Sequence, residues 1–226
     1  MRRISIMKHF VNVYEDTMLS EGFSRKGNVF HRLTSGKIIQ ELGVNRYKHR
    51  NEYSIMYHIG PLCCGTETEH FIEGDTISDF LRRDTWMYDR EGEDTTMYET
   101  LELTKQYLLP HFNTVTDYKS YLNDKVSRIQ IKYCNIHWDY CIVNLALGNY
   151  EDALAAMEAK LIWNRQGSLA HNPYAIEQTE KLQKMYDGVK EALHIGNTGY
   201  IEALVKEKED FSLKSYQAYY GVSNSS

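Results

Sequence analysis

The chain has 226 residues, 26 Lys+Arg against 31 Asp+Glu for a formal charge of −5, and is 42% hydrophobic and 25% charged. With only 3 Pro and 14 Gly, this composition excludes a collagen-like repeat, a low-complexity scaffold and a disordered tail. The length suits one large domain or two small ones with an ordinary core. Tyrosine is the outlier, at 18 residues against 7 Phe and 3 Trp.

The charge is unevenly spread. Residues 1–60 carry 10 basic and 5 acidic side chains, residues 61–124 carry 5 and 14, and residues 125–226 carry 11 and 12. Acid is densest between Glu67 and Asp94. A patch of that sign repels phosphate backbones and can attract a basic protein partner, so nucleic-acid binding is not expected. The four cysteines, Cys63, Cys64, Cys134 and Cys141, lack the spaced framework of a small secreted domain, and adjacent Cys63 and Cys64 bridge each other only with strain. The first residues carry no continuous apolar h-region. No stretch approaches the roughly 18 apolar residues of a membrane span. A soluble cytoplasmic protein with no membrane partner is expected.

In chain order, Ile6, Phe10, Val13, Tyr14 and Thr17 with Met18 recur at spacings of three and four, which predicts a helix that Gly22 caps. Val29–Leu33, Lys37–Val44 and Tyr53–Ile59 are short and rich in β-branched and aromatic residues, and predict an antiparallel meander. Tyr53, Ile55, Tyr57 and Ile59 alternate with Ser54, Met56 and His58, the period of a half-buried strand. Residues 61–93 have no clean period and form a long acidic excursion. From Thr95 the chain reads as helical, with Pro110 interrupting a stripe made by Leu101, Thr104, Tyr107 and Leu108. Thr116 or Asp117 can cap a short helix. Residues 129–147 read as a buried helix ended by Gly148-Asn149, and Tyr150–Trp163 as the next. Gly196-Asn197, followed by Tyr200, Ala203 and Leu204, echoes Gly148-Asn149 followed by Tyr150, Ala153 and Leu154, which gives two helical hairpins.

The fold expected is therefore α+β: an N-terminal helix on a small antiparallel sheet, then an all-helical layer. Residues 1–226 are read as a single domain, with 1–94 as helix plus sheet and 95–226 as the helical portion.

Catalytic motifs are absent: there is no P-loop, GxGxxG, GxSxG, HExxH or CxxC pair. Cys134, His137 and Cys141 share a helix face but lack a fourth ligand from a second element, so no metal and no cofactor are expected. Two surfaces remain. If alternation places Arg32, Lys37, Glu41 and His58 together on a wet sheet face, they could bind a small ligand or do acid–base work. The acidic excursion, with Glu67, Glu69, Glu73, Asp75, Asp79, Trp86 and Tyr88, could take a partner. The tyrosine excess also suits an interface, including one between copies of the chain.

One stretch carries a resemblance. Gly22-Phe23-Ser24-Arg25-Lys26-Gly27-Asn28-Val29-Phe30-His31-Arg32, then Gly36-Lys37-Ile38-Ile39-Gln40, then a strand ending Ile59-Gly60, resembles the bacterial family called domain of unknown function 4304. Tyr107-Leu108-Leu109-Pro110-His111-Phe112 is similar to that family's helix ending near a proline and an aromatic. The resemblance covers residues 8–120 and implies no activity, so no catalytic residue comes with it. The leading expectation is a non-enzymatic interaction protein of immunity-like or regulatory type. The alternative is a small-ligand-binding protein or enzyme using the sheet face near Arg32, Glu41 and His58.

Overall fold

A computed structural model of the chain describes residues 5–47, 52–64, 75–76, 86–87, 95–128, 138–166 and 172–222. The architecture is α+β: a helix, an antiparallel sheet, then helices. The chain forms two compact units, one of Met1–Gly60, Glu67–Asp117 and Tyr219–Ser226, the other of Pro61–Thr66 and Tyr118–Ala218. Residues 95–117, helical by sequence, thus group with the sheet.

The first helix, α1, spans Ile6–Ser20. Its start is fixed by Ser5, whose Oγ accepts from the Lys8 N–H at 3.3 Å, and its stripe of Ile6, Phe10, Val13, Tyr14 and Met18 is buried. It stops at Gly22, which adopts φ +80°. There the Gly22 N–H donates to Leu19 O at 3.1 Å and the Phe23 N–H to Met18 O at 3.0 Å. This Schellman pairing satisfies two end carbonyls and turns Phe23 into the core beside Met18.

The sheet follows as strands β1 Ser24–Lys26, β2 Val29–Leu33, β3 Ile38–Tyr47 and β4 Glu52–Pro61, neighbours in that order. Two short strands, β5 Asp75–Thr76 and β6 Trp86–Met87, pair antiparallel with β4. Residues of β2 and β3 face each other as Phe30 with Leu42, His31 with Glu41, and Arg32 with Gln40. Lys37, expected to open β3, instead holds the hairpin turn at φ +67°. The Lys37 N–H donates to Thr34 O at 3.0 Å, and the Ile38 N–H to Thr34 Oγ1 at the same distance. Neighbouring Gly36 has to be glycine, because a Cβ there would collide with the Thr116 carbonyl and Asp117.

One sheet face carries Phe30, Gln40 and Leu42 and receives α1, with Phe10 and Phe30 ring centroids 5.6 Å apart. The same face receives a continuous helical run of α2 Thr95–Leu103, a π-turn Thr104–Leu108 and α3 Leu109–Thr114. The sequence places an interruption at Pro110, and the structure absorbs it in that wide turn. Pro110 has no N–H for the helix ladder, and just before it the Leu109 N–H reaches back to Thr104 O. Phe112 then packs on Phe23 and Tyr57 at 5.4 and 6.0 Å. Gln40, fully buried, donates from Nε2 to Phe112 O at 2.6 Å and Val115 O at 2.7 Å, pinning the end of α3 to β3.

The second unit contains the 3-10 turn Leu62–Cys64 and helices α4 Tyr118–Arg128, α5 Trp138–Ala146, α6 Tyr150–Asn164, α7 Pro173–His194 and α8 Thr198–Tyr220, the last up to Ala218. Two hairpins, α5–α6 and α7–α8, turn on Gly148-Asn149 and Gly196-Asn197. Both glycines have positive φ, +77° and +70°. Both turns repeat the α1 pairing, with Asn149 N–H to Asn144 O at 2.9 Å and Asn197 N–H to Ala192 O at 2.7 Å. Gly188 lets the Tyr200 hydroxyl lie against α7 where any side chain would clash.

Removing the Gln40 amide strands two buried carbonyls. Gln40→Leu is therefore expected to lower unfolding free energy by about 2–4 kcal/mol, read from urea titrations. A loss below about 0.5 kcal/mol would show that these bonds do not hold α3 to the sheet.

Candidate functional site

Adjacent residues of β3 serve opposite faces of the sheet. Gln40 points to the helices; Glu41 points away from them, on the face it shares with His31 across the β2–β3 ladder. Glu41 is only 3% exposed and His31 only 2%. What covers them is the end of the final helix, whose Tyr219 and Tyr220 belong to the sheet unit. The Tyr220 ring stacks on the His31 imidazole with centroids 3.6 Å apart and planes 21° from parallel. Its hydroxyl donates to Glu41 Oε1. Tyr219 meets Tyr220 edge-on at 4.8 Å and carries the Lys26 ammonium over its ring at 4.5 Å.

A cavity of about 260 Å³ opens beside this contact. Its floor is β3 from Glu41 to Asn45 and its sides are Asn28 and Val29 of the β2 hairpin and Met56 and His58 of β4; Met7, Tyr219 and Tyr220 complete it. Among the described residues the lining is thus largely apolar or aromatic, with Glu41 as its one acid and no lysine or arginine. Glu41 Oε2 is buried and has no hydrogen-bond partner among the described residues. An oxygen in that position costs about 1–3 kcal/mol unless something satisfies it.

Burial sets the protonation states. It pushes the Glu41 carboxyl up to about 8, with the Tyr220 hydroxyl pulling part of the way back. It pushes the His31 imidazole down to about 4, helped by the Lys26 charge. Near pH 7 the stacked histidine is neutral and Glu41 is largely a neutral acid, so its free oxygen can give up or take a proton.

The sequence-derived candidates divide. Glu41 and His58 line the same cavity. Arg32 does not join them: its register partner is Gln40, which puts it on the helix-bearing face. There its guanidinium donates to Gln40 Oε1 and Glu21 O, each at 2.6 Å, and to Asn113 Oδ1 at 2.7 Å, and lies 4.4 Å from the Phe23 ring centre. Burial lowers its pKa, opposed by Glu21, and its donors are committed to holding the fold. Lys37 is exposed in the turn. His31, Tyr219 and Tyr220 were not among the candidate ligand-binding residues. The usable signal was Glu41 itself, a charge set inside the apolar run Ile38–Val44.

Of the acidic excursion, Glu67, Glu69, Glu73, Asp79 and Tyr88 lie outside the described residues, and Asp75 and Trp86 are placed by backbone pairing to β4. Cys134 and His137 also lie outside them, while Cys141 is buried with its thiol pushed up to about 12 by burial. No group of three or more His, Cys, Asp or Glu among the described residues could hold a metal ion. No helix among them is long and apolar enough to cross a membrane.

The folded chain holds the Glu41 proton more tightly than the unfolded chain. This group's contribution to stability therefore falls as pH rises from about 4.5 to about 8. His31 works in the opposite sense, adding stability as pH rises from about 4 to about 6.5. The other titratable groups around the carboxyl are His58 on β4, Tyr219 and Tyr220 on the last helical turn, and Lys26 on the Tyr219 ring. Glu41→Gln removes the carboxyl alone. Its stability relative to the parent is expected to rise by on the order of 2 kcal/mol between about pH 6.5 and about pH 8 in urea titrations. A difference independent of pH would place the Glu41 proton outside this window.

No protein-family model, no curated protein and no solved structure matches this chain.

Proposed function

We propose that the sheet unit is a small-ligand-binding domain and that the cavity over Glu41 is its binding site. One observation carries this: Glu41 lines a cavity and keeps a buried carboxyl oxygen with no donor among the described residues. Proteins seldom leave a buried polar atom unsatisfied, and such atoms cluster where a ligand or a reaction supplies the missing partner. The surrounding chemistry agrees, since apolar walls from Val29 and Met56 can bury a ligand's body while one polar group fixes its orientation. Ligand binding takes precedence over partner docking on the acidic segment, because the cavity couples a defined shape to an unmet hydrogen bond.

Gly43 offers a clean test. It lies on the cavity face opposite Val29, carries no positive φ, and a Cβ there would meet Asn28 O and a Val29 methyl at an ordinary 3.6 and 3.7 Å. Gly43→Val is therefore expected to fill the cavity while leaving the strand intact. In a fragment panel followed by NMR shifts, fragments that move resonances of Glu41, Met56 and His58 in the parent should lose that effect in Gly43→Val. Fragments that bind both proteins equally, or a panel in which none binds the parent at these residues, would refute the assignment.

A further inference from the structure

Resting on that cavity, we infer that its ligand is a small organic cation, an amine with an apolar body, whose ammonium seats on Glu41 Oε2. Glu41 Oε1 already accepts from the Tyr220 hydroxyl, so one half of the carboxylate's hydrogen-bond shell is built into the fold. A donor on Oε2 completes it, and a charged donor forms the stronger bond. Among the described residues the lining offers an anion no lysine or arginine, whereas a cation finds in Glu41 a group that can ionise against it. The walls suit the rest of an amine: the thioethers of Met7 and Met56 and the Tyr219 ring accept apolar and cationic groups alike. Lys26 already places an ammonium on that ring.

The proton balance follows. Before binding, Glu41 is largely the neutral acid and the amine is a free ammonium. Afterwards Glu41 is a carboxylate paired with that ammonium, and its proton has passed to the solvent. With the unliganded carboxyl titrating at about 8, binding near pH 7 releases close to one proton per ligand. Lys26, His31, His58, Tyr219 and Tyr220 surround the pair, and His31 is already neutral, so it cannot be the source.

Isothermal titration of the full chain near pH 7 with phenethylamine, 2-phenylethanol and phenylacetate tests this, using two buffers of different ionisation enthalpy. Phenethylamine should bind with release of close to one proton, and Glu41→Gln should weaken it by at least about tenfold. Gly43→Val should abolish it. Tyr220→Phe keeps the ring on His31 but removes the hydroxyl from Oε1, and should weaken the amine by about threefold to tenfold; it serves if Glu41→Gln melts too low to titrate. If the alcohol or the acid binds as well as the amine and Gly43→Val blocks it, the cavity stands and the cation class falls. Amine binding that survives both Glu41→Gln and Gly43→Val lies elsewhere and also defeats the inference. If none of the three binds, the cation inference falls and the fragment panel decides the cavity.

Discussion

A carboxyl group sits on a central strand that is covered on both faces, and the sheet unit is arranged around that fact. On one face of β3, Gln40 and Leu42 are sealed by α1 and the α2–α3 run. On the other, Glu41 is sealed by the last two tyrosines of the final helix. Full ionisation in such a place would be costly, and the group responds by holding its proton to about pH 8. His31 accommodates the same burial by staying neutral, which lets Tyr220 stack flat on it.

The two neighbours Gln40 and Glu41 show what a satisfied and an unsatisfied buried group look like. Gln40 uses its amide on two carbonyls and its oxygen on Arg32, and so acts as a rivet between strand and helix. Glu41 lines a cavity, uses one oxygen and leaves the other buried without a partner among the described residues. A sheet built only for stability would gain by replacing Glu41 and the Tyr220 hydroxyl together with apolar groups of the same shape. A half-satisfied acid retained beside a cavity is the feature that the proposed binding site accounts for.

Much of the fold was legible because its signals are local. The α1 stripe from Ile6 to Met18, the alternation from Tyr53 to Ile59 and the glycine stops at Gly22, Gly148 and Gly196 each depend on neighbours within a few residues. The β3 strand was harder, since Ile38 to Leu42 is buried on both faces and shows no alternation from which to take its parity. That missing parity grouped Arg32 with Glu41, whereas the register places them on opposite faces. Tyr220 comes from 179 residues beyond Glu41, and nothing in either local sequence announces the pairing. Likewise the α2–α3 run reads as helical by period, and only the contacts of Phe112 and Gln40 tie it to the sheet.

Glu41 is a neutral, buried acid beside a cavity, and carboxyl-detected NMR of glutamate-labelled protein observes that state directly. Comparison with Glu41→Gln identifies the resonance. A Glu41 signal that titrates with a midpoint near pH 8 and moves to a lower midpoint on adding phenethylamine is the expected result. A Glu41 carboxyl that titrates in the ordinary range near pH 4.5, unmoved by the amine, would contradict the account at its root.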